Sequence, residues 1–142
     1  GLSVRMIPIA PILGEVSPDT LLGRLPEYGP EMRFYEPYRP AVEALRSQGG
    51  STEVIAVFSA FCGRCRIQVP RLMKVMQEAR NPNLRVRYLG VPGGIDSTTE
   101  AYRVRYLPTF IAIRDGKQIG RITERPRASI EEDLLAILRG MQ

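Results

Sequence analysis

The two cysteines of the chain lie three residues apart, in Cys62-Gly63-Arg64-Cys65, and they stand between two segments of opposite periodicity. Residues 53–59 (Glu-Val-Ile-Ala-Val-Phe-Ser) make a short, apolar, β-branched run, the pattern of a strand covered on both faces. From Cys62 onward, Ile67, Val69, Leu72, Val75 and Met76 recur at helical spacing as far as Ala79, with Pro70 expected to kink the helix. A strand that runs straight into a helix points to an α/β fold, and the thiols sit at the junction. The first turn of a helix has amide N–H groups without intrahelical acceptors and carries the positive end of the macrodipole; both favour a thiolate. The thiolate is the reactive form of cysteine. If the helix end brings the Cys62 pKa to about 7, the thiolate fraction at neutral pH rises roughly fifteenfold over a free cysteine, worth about 2 kcal/mol. Arg64 and Arg66 are expected to add to this as nearby cations. Cys65, on the same helical face, can close a disulfide with Cys62. A nucleophile and a resolving partner are the equipment of dithiol–disulfide exchange. An inert buried pair of thiols and a metal site are the competing readings.

Composition narrows these. Histidine is absent, which removes the commonest metal ligand and the usual general base, so Ser–His and Cys–His catalysis are excluded within the chain. Zinc would have to be held by two thiolates and scattered carboxylates, a poor set, so no metal and no organic cofactor are expected. Two cysteines in 142 residues are too few for a disulfide-stapled scaffold. The 44 % apolar content suits one domain with one core. The net charge of +5 comes from arginines spread over the whole chain, a solvated basic surface and not a nucleic-acid footprint. No apolar stretch is long enough for a membrane span. The first residues lack a signal-peptide layout, so a cytoplasmic monomer is expected, or a periplasmic one if a leader was removed ahead of Gly1.

Residues 1–52 read as an N-terminal extension with a first helix, part of the same domain as a core at 53–142. Within it, residues 1–30 are expected to be an extended arm with one or two helical turns near Asp19, and Pro40 to open a helix through Arg46 that Gly49-Gly50 stops. Beyond the cysteines, residues 84–89 alternate apolar and basic as a strand, and Ser97 with Glu100 has the capping-box spacing of a helix reaching about Val104. Residues 109–113 and 118–123 read as strands joined at Asp115-Gly116, and Ser129 with Glu132 opens a last helix burying Ile130, Leu134, Ile137 and Leu138. Helices between the early strands imply parallel crossovers, giving a mixed four-stranded sheet with helices on both faces.

Three separated marks then coincide. Phe61-Cys62-Gly63-Arg64-Cys65 follows a buried strand, Pro70 falls eight residues after the first cysteine, and Tyr106-Leu107-Pro108-Thr109-Phe110 precedes the closing hairpin. In these marks the chain resembles thioredoxin over about its last ninety residues. The stretch from Phe34 to Pro40, with the Glu131-Glu-Asp-Leu-Leu ending, is similar to a bacterial branch of thioredoxin-like proteins. The resemblance implies a thioredoxin-like fold and a protein thiol–disulfide oxidoreductase: Cys62 attacks, Cys65 resolves, and Pro108 is cis. Gly63, Arg64, Leu107 and Pro108 would form the substrate groove, with the Leu107 backbone pairing with an extended substrate. Partners would be protein thiols or disulfides and an electron donor that the residues do not identify.

Two positions depart from the family. Ala56 stands six residues before Cys62, where thioredoxins carry a buried acid, and the accompanying lysine is replaced near Tyr88. Arg64 stands where thioredoxin has proline. Tyr88, a water, or Glu36, Tyr38 or Glu43 from the extension are the candidate replacements for the acid. The missing acid also keeps open a non-catalytic interaction module on the same fold. A thiol peroxidase has only Ser59, three residues before Cys62, in its favour.

Overall fold

The computed structural model describes residues 10–141; the expectations for residues 1–9 lie outside that range. In chain order the elements are β1 (Gly14–Val16), α1 (Pro18–Arg24), α2 (Tyr28–Phe34), α3 (Arg39–Arg46), β2 (Thr52–Phe58), α4 (Cys65–Ala79), β3 (Leu84–Gly90), α5 (Ser97–Ala101), β4 (Thr109–Arg114), β5 (Lys117–Thr123) and α6 (Ile130–Leu138). The apolar run before the cysteines is β2, at the centre of the sheet, whose strand order is β1-β3-β2-β4-β5.

The period-2 geometry of a strand divides the side chains of β2 between two cores. Val54, Ala56 and Phe58 join Phe110, Ala112 and Ile122 in the larger core, which α1, α2, α3, α4 and α6 cover with Leu21, Tyr28, Leu45, Leu72 and Leu134 among others. Ile55 and Val57 face the other way, into a small cluster with Leu89, Val91, Val104 and Ile111. The helices α1, α2, α3, α4 and α6 thus cover the larger core, while the small cluster on the other face is completed by the loop segments after β3 and α5.

Three expectations need correction. The sheet has five strands among the described residues: β1 pairs antiparallel with β3, Gly14 opposite Gly90. A three-residue strand has no periodicity to detect, and its pairing is made at the far edge. Second, β2 and β3 are parallel, as the intervening α4 implies, but β4 lies antiparallel to β2. Five residues of α5 rise only about 7 Å, too little to return the chain along a seven-residue strand of about 23 Å, so β4 starts where β3 ends. Third, residues 10–30 carry the two helical turns expected near Asp19, as α1, but they pack onto the core and are not an extended arm. Ser17 caps α1, its Oγ accepting the Thr20 N–H at 3.2 Å with Pro18 in the first turn, and Leu21, Leu25 and Tyr28 are buried.

The capping box of α5 also lies one residue earlier than its spacing suggested. Asp96 accepts the Thr99 N–H at 2.9 Å and donates its own N–H to Thr99 Oγ1 at 2.8 Å, and the helix ends at Ala101 and not near Val104. A following residue, Arg103, adopts a positive φ of 54° that no helix continues through. Ser129 caps α6 as expected, accepting the Glu132 N–H at 3.1 Å.

Candidate active site

Past Phe58 the chain turns tightly. The Cys62 N–H donates to Ser59 O at 3.2 Å and the Phe61 N–H to Ser59 Oγ at 3.2 Å. That turn occupies the residues before Arg64, so α4 begins at Cys65 and not at Cys62. Cys62 consequently stands just ahead of the helix, and its Sγ accepts the Cys65 backbone N–H at 3.1 Å. An amide with no intrahelical acceptor is thereby satisfied by sulfur. Cys62 is half-buried, Cys65 is fully buried, and both are free.

The two sulfurs are driven in opposite directions. Hydrogen bonding from the Cys65 thiol lowers the Cys62 pKa from 9.0 to about 6, helped by the backbone amides of Cys65 and Arg64 and the Arg64 guanidinium, and opposed by burial. Burial first, and then the hydrogen bond to Cys62, pushes the Cys65 thiol far up. At neutral pH the pair therefore holds one negative charge, on the more exposed sulfur.

The loop before β4 closes over this sulfur. The Leu107–Pro108 peptide is cis, and Cys62 Sγ lies 3.6 Å from Leu107 O, within reach of a thiol donor. The loop is pinned from both sides: the Glu124 N–H donates to Pro108 O at 2.7 Å, and Thr109 Oγ1 donates to Tyr106 O at 2.6 Å. The sheet explains the convergence, because β2 and β4 are hydrogen-bonded neighbours and the turn after one faces the loop before the other.

Of the residues singled out for binding, Leu107 and Pro108 adjoin Cys62, while Gly63 and Arg64 are exposed on the turn. A Cβ on Gly63 would meet nothing within 4 Å, so no steric demand fixes a glycine there. Arg64 makes a loose ion pair with Glu124 at 3.7 Å and stays 63 % exposed. Phe61 and Tyr106, next to these two segments in sequence, are also exposed. A cleft of about 550 Å³ begins at Leu107 and runs along Gly93, Ile95, Glu100, Arg103 and Val104. Among the described residues no group of three or more Cys, Asp or Glu is placed to hold a metal ion.

The side chains expected to replace the missing acid are poorly placed for it. Tyr88 lies opposite Ala56 in the parallel register, but burial alone raises its pKa and neither cysteine acts on its phenol. Glu36, Tyr38 and Glu43 are exposed, and the Tyr38 N–H is spent on Glu131 at 2.6 Å. From the extension, Tyr28 is fully buried in the same core as Ala56 and Cys65, and the charges of both cysteines act on its phenol. Its setting, Pro26-Glu27-Tyr28-Gly29-Pro30, reads as loop, and no periodicity marks it as core.

Comparison with known proteins bears on the fold and the family. A thioredoxin of Alternaria alternata, AMT13, is 22 % identical over 89 residues, covering 63 % of this chain and 73 % of its own. In fold, the chain is similar to a Pseudomonas aeruginosa protein of unknown function, with a TM-score of 0.64 at 16 % identity over 87 % of this chain and 86 % of that one. It is also similar to Chlamydomonas reinhardtii thioredoxin f2, with a TM-score of 0.50 at 20 % identity over 69 % and 85 % of the two chains. The thioredoxin family model matches residues 42–136, about two thirds of the sequence, from α3 through most of α6. The chain belongs to the thioredoxin family.

Proposed function

We propose that the protein is a thiol–disulfide oxidoreductase acting on protein substrates through Cys62 and Cys65. Membership of the thioredoxin family supports a thiol redox function generally. The observation that carries the finer reading is the Cys62 sulfur: it accepts a helix-terminal amide at 3.1 Å, lies 3.6 Å from the Leu107 carbonyl and remains half-exposed. With a pKa of about 6, roughly nine tenths of it is thiolate at pH 7.

The thiolate attacks a substrate disulfide and forms a mixed disulfide. Cys65 then loses its proton, attacks Cys62 Sγ and releases the reduced substrate. The Leu107 backbone, held beside the cysteine by the cis peptide, offers an edge on which an extended substrate segment can lie, with Gly63, Arg64 and Pro108 lining the approach. A separate thiol donor returns the disulfide to the dithiol. The protein works as a monomer in the cytoplasm, or in the periplasm if its precursor carries a leader. Among the described residues no helix is long and apolar enough to cross a membrane.

Insulin reduction with dithiothreitol as donor tests this. The wild type should accelerate precipitation of the insulin B chain, and Cys62→Ser should abolish the acceleration. A wild type no faster than dithiothreitol alone would overturn the reading and leave a non-catalytic binding module on the same fold.

A further inference from the structure

The buried resolving thiol raises a problem that β2 does not solve. Cys65 must ionise inside an apolar core, and the strand behind it offers Ala56 where a polar group would be expected to assist. One polar atom in that core is unaccounted for. The Tyr28 hydroxyl is fully buried and has no hydrogen-bond partner, although a buried hydroxyl is normally paired. It is held in place from outside the core. Glu27, its neighbour, makes an ion pair with Arg66 at 3.1 Å, directly after Cys65, and one turn on Glu31 pairs with Arg71 at 3.0 Å. Two part-exposed bridges thus set α2 along the first half of α4, with Tyr28 next to the glutamate that pairs with the residue after Cys65.

We propose, on the footing of the exchange chemistry above, that the Tyr28 hydroxyl is the proton partner of Cys65: it donates a hydrogen bond to the sulfur as that thiol ionises to attack the mixed disulfide. In this step the Cys65 S–H bond breaks and the Cys62–Cys65 S–S bond forms. The bond between Cys62 and the substrate sulfur breaks, and its electron pair leaves with the substrate thiolate, which takes up the proton. The dithiol loses two electrons and the substrate disulfide gains two. Tyr28 keeps its own proton throughout, as a donor to developing negative charge. Burial first, then the charges of Cys65, Cys62 and Glu27, push its pKa up, with Arg66 opposing; those four are the ionisable groups acting on it. A phenol held neutral in this way is a hydrogen-bond donor and never a base. An extension outside the match to the family thereby supplies what the central strand lacks.

The test is the reaction of reduced protein with excess dithiobis-nitrobenzoate, which releases one nitrothiobenzoate when Cys62 attacks and a second when Cys65 resolves. Tyr28→Phe keeps the ring and removes only the unpartnered hydroxyl, so its melting temperature should not fall. Its first phase should match the wild type. Its second phase should slow by about tenfold, with its pH midpoint about one unit higher, the loss expected for a hydrogen bond to a charged sulfur. Equal second phases in the two proteins would overturn the role, as would equal slowing of both phases or a marked drop in melting temperature, either of which marks a packing residue. A wild type that releases a single equivalent would instead overturn the exchange reading itself, and the role of Tyr28 with it.

Discussion

Glu131 is 1 % exposed, and a lone carboxylate so placed would be costly to bury. It is not alone. Tyr35 Oη donates to its two oxygens at 2.6 and 2.9 Å, and the Tyr38 N–H donates to Oε2 at 2.6 Å. Burial, followed by the hydrogen bond to Glu131, pushes the Tyr35 phenol up, so the donor keeps its proton. These contacts tie the segment between α2 and α3 to the first turn of α6, about ninety residues away in sequence. Glu131→Ala should cost about 2 kcal/mol in urea unfolding, because the Tyr38 amide and Tyr35 hydroxyl lose their acceptor. Glu131→Gln should cost clearly less, and equal, negligible losses in both would contradict the anchoring role. The sequence shows the acidic start of α6, but a first-turn glutamate normally faces solvent, and nothing local marks Glu131 as the one turned inward. The cysteines were the opposite case: their spacing and place after a strand need no distant contact to be read.

At the scale of elements, what could be read was what periodicity or capping encodes. β2, α4 and α6 lie within a residue or two of their expected bounds, except that the thiol turn delays α4 to Cys65. β1 could not be read, since three residues carry no pattern and its pairing depends on close approach at β3. There the backbone of residue 12 comes so near Gly90 that an added Cβ would stand 2.0 Å from Ile12 O. Gly90 has no positive φ, so space and not conformation demands the glycine. Gly90→Ala should therefore push the β1 segment off β3, with a loss of about 2 kcal/mol and faster amide exchange at Glu15 and Val16. Undiminished protection of those amides would show that β1 is not held by this approach. α2, with Gly29 and Pro30 inside it, is a poor helix by propensity. Packing on α4 stabilises it, and the Glu27–Arg66 and Glu31–Arg71 pairs set its register.

For the molecule as a whole, four chain segments frame the thiol pair: the turn after β2, the start of α4 and the cis-proline loop before β4 around Cys62, and α2 from the extension in the core that holds Cys65. The family match covers the first three and leaves out the fourth, which is why the replacement for the absent acid could not be found by resemblance. The thiols so placed have opposed proton affinities, and that of Cys62 is the claim on which the proposed chemistry stands. The lowered pKa of Cys62 means that reactivity is already developed at neutral pH and falls as pH drops through about 6. The most direct measurement is the rate of alkylation of the fully reduced protein by iodoacetamide as a function of pH, with Cys62→Ser as control. The account predicts a profile assigned to Cys62 with its midpoint at about pH 6 and a plateau by pH 8. A rate still climbing about eightfold between pH 7 and 8, as an ordinary thiol of pKa about 8.5 would give, contradicts it.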